Sequence, residues 1–153
     1  GAKPYSILHL ATHGVLDTRR PELSSLLFSR LDSEGRPIDG HLRLFDIYHL
    51  QLDAELVVLS ACRTALGREI RGDGLQSLAR GFLHAGARRV VVSLWNVDDE
   101  ATAVLMEHFY RKLLQDGQSA GAALRSARAR VASDPRWQAP YYWAGFVLQG
   151  DWR

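Results

Sequence analysis

The sequence predicts an α/β fold, a three-layer sandwich in which helices cover both faces of a mostly parallel β-sheet. Short apolar, β-branched segments recur along the chain, and amphipathic helical patterns separate them. Strands that alternate with helices are typical of parallel sheets with right-handed crossovers. Of the 153 residues, 46% are hydrophobic, which is enough for a buried core. We therefore expect a single domain over residues 1–153.

The predicted strands are nearly continuous apolar runs, a pattern typical of strands that are covered on both faces. They occupy residues 5–11 (YSILHLA), 55–61 (ELVVLSA) and 87–95 (ARRVVVSLW), with a weaker fourth strand at residues 146–149 (FVLQ). The chain reaches the first strand almost at once and does not begin with methionine. We therefore expect it to be a piece of a longer protein.

Three helices are predicted from apolar faces with helical spacing. The first begins near Asp73, ends at Gly86 and crosses from the second strand to the third. Two more follow the third strand, over residues 99–116 and 119–133, and each is closed by a helix-breaking residue.

The segment between the first two strands follows a different pattern. Residues 24–50 show no clean helical period, and they contain the turn signals DSEG and RP. We expect residues 26–31 and 41–45 to pair there as a β-hairpin outside the main sheet.

Composition and charge exclude several classes of protein. The formal net charge is only +2 and the basic residues are scattered, so neither nucleic acid nor an anionic membrane surface is an expected partner. No stretch approaches the roughly 18 apolar residues needed to cross a bilayer, and no signal peptide opens the chain. The single cysteine, Cys62, excludes an internal disulfide framework. We expect a soluble, cytoplasmic protein.

Reactive side chains follow the first two predicted strands. His13 comes after the first strand in ATHG, and Cys62 comes after the second in LSACRT. In an open parallel sheet the functional crevice lies beyond the carboxyl ends of the strands, so neighbouring strands would bring imidazole and thiol together. Histidine can then act as acid or base and cysteine as nucleophile. The N–H groups of Gly14, which has no Cβ, and of Cys62 could form an oxyanion hole.

Other readings of these residues are weaker. The remaining histidines, including His9 within the first strand, show no metal-ligand spacing such as H-E-x-x-H, so we assign no metal. Cys62 and Arg68 match the C-x5-R loop of cysteine phosphatases. However, Glu69 follows the arginine, and a carboxylate beside a phosphate cradle would repel the substrate.

Taken together, these motifs resemble the CHAT domain, a caspase-like family often found behind tetratricopeptide repeats, in the clan that includes caspases and separase. The resemblance covers nearly the whole chain, in several motifs that occur in the right order. These are residues 9–14 (HLATHG), 57–64 (VVLSACRT), 72–75 (GDGL), 82–83 (FL), 85–87 (AGA), 93–99 (SLWNVDD), 101–102 (AT), 109–110 (FY), 123–125 (ALR) and 140–146 (PYYWAGF).

The spacing of the two reactive residues fits the same family. Caspases carry their histidine about 50 residues upstream of a Q-A-C motif, and the numbers of His13 and Cys62 differ by 49. Ser60 stands in place of the caspase glutamine, as is usual in CHAT sequences. The family fold implies further strands before residue 5, whose absence would leave the first strand as a sheet edge for another segment or a partner to cover.

The resemblance implies a cysteine endopeptidase that works without a cofactor through a His13–Cys62 dyad and a thioacyl intermediate. The expected partners are a protein or peptide substrate and a regulatory repeat domain or activator. The alternatives are a catalytically silent CHAT module that binds other proteins and, less favoured, a cysteine phosphatase.

We also expect a preference for Arg or Lys on the amino side of the cut. Asp98 and Asp99 lie just beyond the third strand, where a carboxylate could pair with a guanidinium. The segment LWNVDD resembles separase, which cleaves after Arg, and Asp99 falls on the acidic position of that motif. The other reading is that both aspartates open a helix, where acidic residues cap free N–H groups.

Overall fold

The computed structural model describes residues 5–15, 17, 20–60, 62–63 and 73–152. Its strands are β1 (Ile7–Leu10), β2 (His13–Val15), β3 (Ser25–Leu27), β4 (His41–Arg43), β5 (Leu56–Leu59), β6 (Cys62–Arg63), β7 (Arg89–Ser93) and β8 (Phe146–Gly150). Its α-helices are α1 (Leu44–Tyr48), α2 (Asp73–His84), α3 (Asp99–Tyr110), α4 (Ala120–Ala132) and α5 (Pro140–Trp143).

The main sheet contains all four predicted strands, in the order β1-β5-β7-β8. The first three are parallel to one another and β8 is antiparallel to β7, so the predicted mostly parallel sheet is confirmed. Within the described part of the chain, β1 forms one edge of this sheet.

Helices cover both faces of the main sheet. Val57 and Leu59 of β5 pack in one core with α1 and α2, whereas Leu56 and Val58 pack in a second core with α3 and α4. This alternation follows from the two-residue period of a strand, which sends successive side chains to opposite faces. Both faces are buried, which is why the strand reads as one continuous apolar run.

The predicted helices are present. Helix α2 ends before Gly86, whose φ of 110° falls in the region that favours glycine. A Cβ at Gly86 would lie 2.1 Å from the carbonyl oxygen of Leu52. Helix α3 continues into a π-helical turn over Arg111–Gln115, which accounts for the predicted extent of 99–116. The predicted helix at 119–133 corresponds to α4, with Ser119 as its N-cap.

The hairpin prediction was right in kind and wrong in extent. Strands β3 and β4 pair antiparallel outside the main sheet, but each has only three residues, and β3 begins one residue before the predicted segment. Leu44 and Phe45 belong to α1, which the sequence analysis missed because five residues are too few to show a helical period. Hairpin β3–β4 is also not isolated, because it joins β2 and β6 in a second sheet of order β4-β3-β2-β6.

No helix in the described ranges combines the length and the apolar character needed to cross a membrane.

Candidate functional site

The site begins where two parallel strands pass from the main sheet into the second sheet. In the main sheet β1 pairs with β5 so that His9 lies opposite Val58, and in the second sheet β2 pairs with β6 so that His13 lies opposite Cys62. The partners differ by 49 in residue number in both pairings. The parallel register therefore continues through the break at residues 11–12, and adjacent strands lie about 4.8 Å apart. The separation of 49 residues between His13 and Cys62 is therefore the register in which the two segments pair as parallel strands.

The structure brings the backbones of His13 and Cys62 together. His13 is exposed and lines a groove, whereas the Cys62 side chain lies outside the described residues, so contact between imidazole and thiol stays a prediction. Gly14 is buried and pairs with Leu26 on one side and Arg63 on the other. Its part in an oxyanion hole also stays a prediction.

The groove has a volume of 460 Å³ and lies between the carboxyl ends of β1 and β5 and the first turns of α3. This is the crevice expected for an open parallel sheet. The Oγ1 atom of Thr102 is buried there and has no hydrogen-bond partner within the described residues. The groove is lined by His9, Ala11, Thr12, His13, Ser60, Val97, Asp99, Thr102, Ala103 and Met106.

The two candidate specificity residues have different surroundings. Asp98 is the N-cap of α3, where its Oδ1 atom accepts a hydrogen bond of 2.9 Å from the backbone N–H of Ala101. Asp99 is exposed in the first turn and lines the groove with His13. Asp98 is not among the lining residues that the structure describes. The N-cap role therefore belongs to Asp98, and Asp99 is the carboxylate among the described residues that line the groove.

His9, a weak candidate from the sequence, lines the groove and has a side-chain partner at each ring nitrogen. Its Nε2 atom lies 2.8 Å from Oγ of Ser60, and its Nδ1 atom lies 3.0 Å from the hydroxyl of Tyr110 on α3. We call these three side chains the Tyr110–His9–Ser60 chain. A signal for it exists in the sequence, since His9 is a polar residue within an apolar strand and both of its ring nitrogens can form hydrogen bonds with neighbouring elements.

Burial shapes the protonation of the Tyr110–His9–Ser60 chain. Partial burial lowers the pKa of the His9 imidazole from its usual 6.5, so the ring is neutral at pH 7. Burial also raises the pKa of Tyr110 to about 12, so its hydroxyl keeps its proton. The Tyr110–His9–Ser60 chain is therefore an uncharged hydrogen-bonded unit beside His13.

Binding of a metal ion or of a phosphate group would depend on further side chains. Within the described ranges no cluster of three or more His, Cys, Asp or Glu residues could hold a metal ion. Arg68, the residue on which the phosphatase reading depends, lies outside the described residues.

Comparison with known proteins gives a consistent assignment. The chain matches the CHAT domain family over residues 1–151. It is similar to tetratricopeptide repeat protein 28 of Mus musculus, with 43% identity over 105 residues, and to the protein of the same name of Homo sapiens, with 41% identity over 105 residues. Each match covers 69% of this chain but only 4% of the relative, so the chain corresponds to a small part of those proteins.

Proposed function

The chain belongs to the CHAT domain family of the caspase-like clan, and on that premise we propose that it is a cysteine endopeptidase with Cys62 as nucleophile and His13 as general acid and base. The observation that carries the proposal is the in-register pairing of His13 with Cys62 at the carboxyl ends of two parallel strands. A groove of 460 Å³, lined in part by His13, lies at these strand ends and would receive the peptide substrate.

The proposed reaction needs no cofactor. The Cys62 thiolate attacks the scissile carbonyl carbon, and the N–H groups of Gly14 and Cys62 hold the resulting oxyanion. The C–N bond then breaks as the His13 imidazolium donates its proton to the leaving amine. In the second half, His13 takes a proton from water and the hydroxide attacks the thioester carbonyl. The C–S bond then breaks, which releases the acid product and restores the Cys62 thiolate beside the His13 imidazolium.

We propose that the groove takes a basic side chain, Arg or Lys, on the amino side of the cut. Among the described residues that line the groove, Asp99 is the carboxylate, and neither Lys nor Arg is present. His9 is neutral at pH 7 and adds no opposing charge. A guanidinium could pair with the Asp99 carboxylate through charge-assisted hydrogen bonds. Asp98, whose side chain caps α3, is the weaker candidate.

We also propose that repeats or a partner outside this domain control the activity. The names of the two similar proteins refer to tetratricopeptide repeats, and the match to this chain is a small part of their length. The exposed edge of β1 in the described part of the main sheet offers a surface for such a partner.

The experiment that tests the chemistry is active-site labelling. A peptide acyloxymethyl ketone library is incubated with the protein, and the adduct is located by mass spectrometry. Since Cys62 is the only cysteine in the sequence, a thiol adduct is unambiguous. We expect labelling of Cys62 that is lost in His13→Ala and preserved in His49→Ala. His49 is an exposed histidine whose Nδ1 atom lies 2.8 Å from the carbonyl oxygen of Phe45 in α1.

Turnover distinguishes the peptidase from a catalytically silent CHAT module. Cys62→Ala and His13→Ala should each abolish peptide cleavage and leave the thermal unfolding midpoint near that of the wild type. Cleavage near the wild-type rate in either variant would refute the dyad. Loss of activity towards a phosphate ester in Arg68→Ala would instead favour the phosphatase.

Control by another domain is tested by comparing rates. This domain alone should cleave peptides more slowly than the full-length parent protein in the presence of its activator. Equal rates would refute regulation by the repeats or a partner and would leave the peptidase proposal intact.

A further inference from the structure

We propose that His9 is a positioning residue for the dyad, because with Tyr110 and Ser60 it locks together the strand ends that lead to His13 and Cys62. The inference rests on the proposed peptidase function. It assigns no chemical step to His9, which would act through the backbone that carries the two reactive side chains.

The contact between His9 and Ser60 lies at the end of the main-sheet pairing. His9 lies near the end of β1 and Ser60 directly after β5, where the main-sheet pairing stops. Their side chains are joined at 2.8 Å, and the N–H of Ser60 donates to the carbonyl oxygen of Leu10 at 3.2 Å. The same two segments re-form parallel pairs at His13 and Cys62. The His9–Ser60 contact therefore lies where the two segments that carry His13 and Cys62 leave the main sheet.

Tyr110 fixes the orientation of the His9 ring. Its hydroxyl lies 3.0 Å from Nδ1, and the two ring centroids are 5.6 Å apart with an interplanar angle of 34°. Both ring nitrogens of His9 thus have partners, and rotation of the ring would break two hydrogen bonds. Tyr110 ends α3, the helix whose first residue is Asp99. One helix therefore supports the His9 ring and carries the carboxylate of the groove.

Two hydroxyl groups are well matched to a neutral imidazole. A neutral imidazole has one N–H donor and one acceptor nitrogen, and each hydroxyl can donate or accept, so two hydroxyls satisfy the ring fully. A positive charge at this place, such as a protonated His9, would repel the imidazolium of His13 during the reaction. The uncharged Tyr110–His9–Ser60 chain holds the strand ends without that cost.

The test measures the nucleophile directly, without requiring turnover. Cys62, the single cysteine, is alkylated with iodoacetamide between pH 5 and 9 in the wild type, Tyr110→Phe, Ser60→Ala and His13→Ala. We expect the rate at pH 7 to fall at least threefold in Tyr110→Phe and in Ser60→Ala. The double variant should be no slower than the slower single variant, because either change breaks the same unit.

A matched control removes a similar contact elsewhere. Ser126 lies with its Oγ atom 3.1 Å from Nε2 of His108, between α4 and α3, and Ser126→Ala should keep the wild-type alkylation profile. In peptide cleavage, Tyr110→Phe should lower kcat and change KM less than twofold. Phenylalanine keeps the aromatic ring, so this pattern would reflect loss of the hydroxyl and not loss of packing. Ser60→Thr, which restores a hydroxyl, should recover the wild-type rate.

The outcomes separate the inference from the proposed function. Wild-type alkylation that is faster than in His13→Ala, with Tyr110→Phe and Ser60→Ala as fast as the wild type, overturns the positioning role and leaves the peptidase standing. A Ser60→Thr variant as slow as Ser60→Ala also overturns the positioning role. A wild-type profile identical to that of His13→Ala overturns the proposed dyad, and the inference with it.

Discussion

Neutralising Asp99 should reduce the preference for a basic side chain about tenfold. At about 4 Å and an effective dielectric constant near 20, a carboxylate–guanidinium pair gains about 4 kcal/mol before desolvation and screening. Measured net values for hydrogen bonds to charged groups are about 1.5–3 kcal/mol. Asp99 is exposed, so solvent screening places the pair at the low end of that range. A loss of about 1.4 kcal/mol corresponds to tenfold in kcat/KM.

The assay compares peptides that differ only in the residue before the cut, which is either arginine or its neutral isostere citrulline. Asp99→Asn should lower kcat/KM about tenfold for the arginine peptide and less than twofold for the citrulline peptide. Glu100→Gln is the matched control, because Glu100 is an exposed acid in the same helical turn and is not among the described groove-lining residues. An unchanged arginine-to-citrulline ratio in Asp99→Asn, or an equal change in Glu100→Gln, would refute the reasoning.

Three further predictions concern stability, each measured by urea unfolding. Gly86→Ala should cost about 2–3 kcal/mol, because alanine is strained at a φ of 110° and its Cβ would meet the carbonyl oxygen of Leu52; a loss below about 0.5 kcal/mol would contradict this. Asp98→Ala should cost about 1 kcal/mol through loss of the α3 cap, whereas Asp98→Asn should stay near the wild type. Desolvation lowers the pKa of His9 and of His108 in the folded state. The stability that these neutral histidines contribute is therefore present above pH 6.5 and is lost as the pH falls through their folded pKa values. His9→Asn should reduce the loss of unfolding free energy at acidic pH.

The parts of the fold that could be predicted are those with a strong local pattern. Strands β5 and β7 read as apolar runs because helices bury both of their faces, whereas β1 is an apolar run at a sheet edge with partly buried side chains. Helices α3 and α4 show a helical period over three turns or more. Strand β6 has only two residues and α1 only five, too few for any period to appear. The antiparallel direction of β8 depends on where the chain returns to the sheet, which a four-residue apolar segment does not encode.

The candidate site also has residues that the sequence identified and assignments that required the structure. His13 and Cys62 were identified because each reactive side chain follows a predicted strand, and their pairing in one register agrees with the expectation that the strands are neighbours. The assignment of Asp99 to the groove and of Asp98 to the helix cap could not be read from two adjacent aspartates. It depends on the direction in which α3 leaves the sheet.

The sequence by itself determined the class of fold, the family and the pair of residues proposed to react, because residue type, period and spacing are local properties of the chain. Only the tertiary structure decided that His9 contacts Ser60 and Tyr110, which lie 51 and 101 residues away in the sequence. A side-chain hydrogen bond across such distances depends on the order of the strands and on the packing of α3 against the sheet. Those arrangements are set by burial of the whole apolar surface at once, and no local pattern records them.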